Sequence, residues 1–138
     1  MQSAPGDWRQ WLLLAFATRD PWAQGEHQIA LQRLEALGGQ QPEALNYLAF
    51  EALRNGRDAV ALPWAERALR LAPHSAYIAD TCGQAHFRLR HCPEAFAAED
   101  AATERAIGSP EQALFRSRRD HFAAQCEPTE RAAAAVPQ

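Results

Sequence analysis

Sliding this chain along itself by about 34 residues lays one part of it over another. Leu48 then falls on Cys82, Ala49 on Gly83, Leu53 on Phe87 and Arg54 on Arg88. Further on, Ala61 falls on Ala95, Leu62 on Phe96 and Ala68 on Ala102. Small residues meet small ones, and large apolar residues mostly meet large ones. A fixed period in this range marks an array of supersecondary units, each too small to bury its apolar face alone. The stretch ERALRLAPHSAY shows where one unit stops: Pro73 cannot continue the helix that runs into it.

The units are helical by composition. Thirty residues are alanine, against two valines, three isoleucines and four threonines. Alanine is the best helix former and β-branched residues favour strands, so the chain reads as all-α. With 138 residues it suits one domain with a proper core. The net charge of −3 gives no reason to expect nucleic acid as a partner. All fourteen basic residues are arginine. No apolar run approaches the length of a membrane span, so no membrane insertion is expected. WLLLAFA (Trp11–Ala17) is only seven residues long, and Asp7 offsets Arg9 before it, which argues against a signal peptide. Cys82, Cys92 and Cys126 are an odd count without the spacing of a disulfide framework. That predicts free thiols and a cytoplasmic setting.

At specific residues the chain resembles the tetratricopeptide-repeat family, whose unit is two antiparallel helices. The family pattern W-x2-L-G-x2-Y, followed by Ala, a bulky residue, Ala and Pro, meets Leu45, Leu48, Ala49, Ala52, Ala61, Ala65, Ala68 and Pro73 in one unit. In the next it meets Ala79, Cys82, Gly83, His86, Ala95, Glu99 and Ala102, with Ile107 where the closing proline would be. Trp11, Leu14 and Ala15 begin an earlier unit. There the match slips by three residues across a longer turn, RDPWAQGEH, before Ala30, Leu34, Leu37 and Pro42 regain register. The resemblance implies a right-handed α-solenoid of three helix pairs, near residues 8–42, 43–75 and 76–108. A capping helix over 109–126 and a flexible tail over 127–138 complete the reading. Ser109 is the expected N-cap of the capping helix, with Pro110 at its first position and Gln112 at the capping-box place. Leu114, Phe115 and Phe122 are expected to cover the end of the third unit. The three arginines of FRSRRDH read as a solvated face.

Chemistry is thinly represented. Cys82 and His86 share a helix face, and His91 and Cys92 follow at the turn; such ligands can hold zinc. But no paired Cys-x2-Cys is present, and Cys82 and His86 fall at core positions of the repeat. They are expected to be a buried thiol and a packed imidazole, with no metal and no cofactor. No oxyanion hole or orienting carboxylate accompanies a Cys–His pair, and there is no phosphate-binding loop. The chain therefore reads as non-enzymatic.

Family members usually bind peptides on the concave face made by the first helix of each unit. Carried over, that face comprises Leu12, Leu13 and Phe16, with Arg9 and Arg19 beside them. Asn46, Tyr47, Phe50, Leu53 and Arg54 follow, with Glu43. Tyr77, Asp80, Thr81, Gln84, Phe87 and Arg88 complete it. Such a face is apolar in the middle with charges at the rim, like a protein interface. The expected partner is the apolar segment of another protein, an amphipathic helix or extended peptide. A second copy of the chain filling the groove is the alternative. Tyr47 and Thr81 stand where carboxylate-clamp members of the family need asparagine, and lysine is absent, so that clamp is not expected. More narrowly, the order of parts is similar to small chaperones of bacterial type III secretion, which hold apolar segments of export substrates.

Overall fold

A computed structural model describes residues 7–126, and all of the regular structure among them is helical. Seven α-helices follow in order: α1 Trp8–Ala17, α2 Gln24–Gly38, α3 Pro42–Arg54, α4 Asp58–Leu71, α5 Ala76–Arg88, α6 Cys92–Arg105 and α7 Gln112–Gln125. A short 3-10 turn, Pro21–Ala23, precedes α2. Each helix packs on the next in sequence, and α1 also meets α3 while α3 meets α5. No helix among the described residues is long and apolar enough to cross a membrane.

The sequence period reappears in the helix boundaries. α3 and α5 begin and end one full period apart, and so do α4 and α6. α1 and α2 begin one period before α3 and α4. The helix starts themselves carry no three-residue slip: α1 stops early at Ala17, and the turn at Pro21–Ala23 fills the gap before α2. Ala30 and Leu34, chosen on that slip, are both fully buried.

The turns repeat as well. Gly56 has φ +74°, and Arg90, its equivalent in the next unit, has φ +65°. Around each, the same two backbone bonds close the preceding helix: Arg57 N–H to Ala52 O and Gly56 N–H to Leu53 O, then His91 N–H to His86 O and Arg90 N–H to Phe87 O. This is the paired 6→1 and 5→2 pattern of a helix ending in a left-handed residue. The helix starts are secured differently. Asp7 caps Arg9 N–H and Ser75 caps Ile78 N–H, while Pro42 opens α3 where no amide donor is required.

Alanine is what the helix crossings require. Ala49, Ala61, Ala65 and Ala85 are buried in one cluster with Ala52, Leu53 and Cys82. Ala79, Ala102 and Ala106 surround Phe115 in another. Where α2 meets α3, a Cβ on Gly38 would lie 2.5 Å from the Ala44 Cβ, closer than two carbons can come. Leu45, Leu48, Trp64 and Leu69 fill the space the small residues leave.

α7 covers the end of the array as expected, through two of its three named apolar residues. Phe115 and Phe122 are buried, whereas Leu114 is half exposed. Its start differs from the sequence reading. Glu111, not Ser109, is the N-cap, and Ser109 and Pro110 lie in the turn that follows Gly108 at φ +84°. The Ser109 carbonyl is spent on Gln112 N–H, which delays the helix to residue 112. Nor are the arginines of this helix simply solvated. Arg118 is bound to Asp80 of α5, and Arg119 donates to Asp100 of α6 at 3.1 Å.

The reading of three free cysteines is overturned. Cys92, at the start of α6, is bonded to Cys126, just after α7; Cys82 alone is free, and buried. Sequence spacing missed the pair because α6 and α7 run antiparallel, bringing the start of one to the end of the other. Residues 127–138, read as a flexible tail, lie outside the described residues.

The bond fastens α7, the last of the described helices, to α6. Closing a loop of this length is worth about 4 kcal/mol. Cys126→Ser is expected to lower the melting temperature by roughly 10 °C, and reducing the wild type should bring it to the same value. Thermal melts with and without reductant check this; a wild type indifferent to reductant contradicts it.

Candidate protein-binding groove

The residues assigned to a concave face separate into three groups. Leu12 and Phe16 of α1, Asn46, Tyr47 and Phe50 of α3, and Tyr77 of α5 line one hollow of about 380 Å³, with Glu43, Ser75 and Ile78. Phe50 is 41% exposed and Tyr77 is 56% exposed, so both present aromatic surface to it. Asn46 contributes a buried side-chain oxygen, Oδ1, that no protein group satisfies. That oxygen is shut away from solvent, so it is not offered to the hollow's occupant.

The second group holds the groove floor together. Tyr47 is 6% exposed, and its hydroxyl donates to Glu51 Oε1 at 3.0 Å. Burial, then the Glu51 charge, raise the phenol far above its usual range, so it stays protonated as a donor. Arg54 donates to the same oxygen at 2.9 Å, and His27 Nε2 lies 3.1 Å from Glu51 Oε2. His27 Nδ1 in turn lies 3.2 Å from the Thr18 hydroxyl. This buried chain ties the end of α1 and the start of α2 to α3. Leu53, at 2% exposure, is core. Tyr47 and Leu53 were expected to face solvent; they turn inward because α3 is covered by α1, α2, α4 and α5. Leu13 errs the other way. It is 69% exposed and does not line the hollow.

The third group is closed off by α7. Phe87 stacks on Phe122, ring centres 4.2 Å apart, and Tyr77 meets Phe115 edge-on at 5.8 Å. Asp80 and Thr81 are buried. Asp80 accepts from Arg118 and, at 3.1 Å, from Gln84. Arg88 donates to the Leu53 carbonyl at 2.8 Å and pairs with Asp58. The groove expected across three pairs is therefore open only over α1, α3 and the first turn of α5.

Beneath Asp80 lies Glu99, wholly buried. It occupies the place that Ala65 holds in the preceding unit, and Gly83 makes the room: a Cβ there would stand 2.7 Å from Glu99 Oε1. Neither Glu99 oxygen reaches a partner with good hydrogen-bond geometry. Burial, then the proximity of Asp80, push this carboxyl far above the usual range, so it is held neutral.

The cysteines and histidines sort out differently from expectation. Cys82 is buried, and burial pushes its thiol up to about 12. Cys92 is committed to the disulfide. His86 and His91 come together, and they do so with Glu94. Burial lowers the His86 imidazole from its ordinary value, favouring the neutral ring.

The chain matches no family model and no curated protein. Its function is argued from the hollow itself.

The neutral Glu99 gives the fold a pH signature. The folded state holds this proton more tightly than the unfolded chain does, so unfolding releases it. The contribution is fully present below the unfolded value of about 4.5 and is lost as pH rises toward the raised folded value. Glu99→Gln is expected to add roughly 1–2 kcal/mol near pH 8 and to flatten the decline in stability between about pH 6 and pH 9. Urea melts of both proteins across that range test this; parallel pH profiles contradict it.

Proposed function

We propose that the chain is a non-enzymatic protein-interaction module. Its three pairs α1–α2, α3–α4 and α5–α6 would form a right-handed tetratricopeptide-like solenoid capped by α7. It would act as an adaptor or chaperone that takes the apolar segment of another protein into the hollow between α1, α3 and α5. The observation that carries this reading is the hollow's wall: exposed aromatic faces at Phe16, Phe50 and Tyr77. Exposed apolar surface of this kind marks interaction sites. The aromatics supply the anchors for such a segment. Three or four anchors at ~2 kcal/mol each support micromolar binding after the entropy of association is met.

The hollow narrows the expectation. It spans about two helix pairs, so it fits a short segment with two or three apolar anchors. The Cys92–Cys126 bond fits an oxidising compartment better than the cytoplasm. That favours a general adaptor over a cytoplasmic chaperone of the secretion type.

A second reading has its own observation. Leu13, Trp22 and Ile29 are exposed on α1, the following turn and α2, the pair that no earlier described helix covers. A second copy of the chain stacking there would cover them and make the protein a structural scaffold.

Peptides selected from a display library for binding should carry paired apolar anchors. Phe50→Glu and Tyr77→Glu are each expected to weaken such a peptide at least tenfold, the first with an unchanged melting temperature and the second with a lower one, because Tyr77 also packs on Phe115 of the cap. Tyr47→Glu, by contrast, buries a new charge beside Glu51 and should destabilise the fold by about 3 kcal/mol or more. Titration by fluorescence anisotropy alongside thermal melts checks both; peptides indifferent to Phe50→Glu and Tyr77→Glu contradict the groove.

A further inference from the structure

Away from the groove, the turn between α5 and α6 gathers three metal-ligating groups. One ligand atom each from His86, His91 and Glu94 lies within 4.8 Å of the others. Local backbone rules produce the cluster. The helix end at Arg90 bonds His91 N–H to His86 O at 2.8 Å, and in this kind of ending the side chains at those two positions meet. His91 is also the N-cap of α6, and Glu94 stands three residues on, where the side chain reaches back toward the cap. The spacing His-x4-His-x2-Glu, laid across one helix end and the next helix start, thus converges by construction.

The two rings do not merely approach. His86 Nδ1 and His91 Nδ1 face each other at 3.1 Å. Two nitrogens bound to one tetrahedral zinc at ~2.0–2.1 Å stand about 3.3 Å apart. Glu94 adds a carboxylate, and Glu66 of α4 lines the same hollow as His86 and Glu94. The turn carries a cost that sequence alone would have avoided. At the matching place in the preceding unit stands Gly56, whereas Arg90 adopts φ +65° without being glycine.

We propose that His86, His91 and Glu94 form a binding site for one divalent transition-metal ion, with zinc the ion best suited to their two imidazoles and carboxylate. The expectation of no metal rested on the missing Cys-x2-Cys spacing and on the core positions of Cys82 and His86; Glu94, the third ligand here, did not enter it. The ion takes the Nδ1 lone pair of each ring and one carboxylate oxygen. Water, or Glu66 after a side-chain rotation, completes four-coordination. The site lies on the α4–α6 side of the array, so its ion stiffens the α5–α6 turn without entering the groove. A hydrogen bond between the two rings explains the same 3.1 Å contact without a metal, and the experiment separates the two.

Full-length, tag-free protein with its disulfide intact is titrated with zinc chloride by calorimetry. The expected result is one ion per chain, a melting temperature raised by about 5 °C in excess zinc, and at least a tenfold loss of affinity in both His91→Ala and Glu94→Gln. Cys82→Ala and His121→Ala should bind as the wild type does. Three results overturn the proposal: no binding, binding that both His91→Ala and Glu94→Gln leave unchanged, or binding abolished by Cys82→Ala. Glu94 is exposed, so its variant folds and keeps the test decisive.

Discussion

Close approach of helix backbones is the constraint on which the rest depends. Ala49 meets Ala61 and Ala65 at zero exposure, and Gly38 meets Ala44 with no room for a further carbon. When helices lie this near, their large apolar residues must fill the flanks, as Leu45, Leu48 and Leu53 do. Each pair then leaves an apolar edge that only another pair can cover. The array follows from that need, and so does its end. Among the described residues, α7 covers the last pair by burying Phe115 and Phe122 and turning Arg118 and Arg119 onto Asp80 and Asp100.

The charged breach of the small-residue pattern is instructive. At the place of Ala65 the third pair carries Glu99, and the lost alanine is matched by a lost methyl at Gly83. The buried acid lies under Asp80, which Arg118 binds from α7. The cap is thus seated on a polar core, and the disulfide at its far end holds what stacking alone would leave loose. The same seating closes the third pair to ligands. What remains open among the described residues is the α1–α3–α5 hollow.

The helical class and the regular spacing of the helix starts were legible in the sequence, because the period fixes both packing and turns. Ala30, Leu34, Phe115 and Phe122 fell where the pattern put them. The groove was legible only in part. Register says which helix face a residue occupies but not what later lands on it. Phe87 and Asp80 were concealed by α7, and Tyr47 by the buried bond to Glu51 that links it to His27. The Cys92–Cys126 pair was illegible because it depends on the antiparallel placing of α7. His91 and Glu94 carried a readable signal, a helix end followed at once by an N-cap, which cysteine spacing overshadowed.

The central claim is that the α1–α3–α5 hollow stands open for another protein rather than being filled by a second copy. Light scattering on a sizing column, run across a wide range of concentrations, tests it most directly. The predicted result is the mass of a single 15.3 kDa chain throughout. A stable species of twice that mass, returned to one chain by Phe50→Glu, would contradict it and make the hollow a dimer interface.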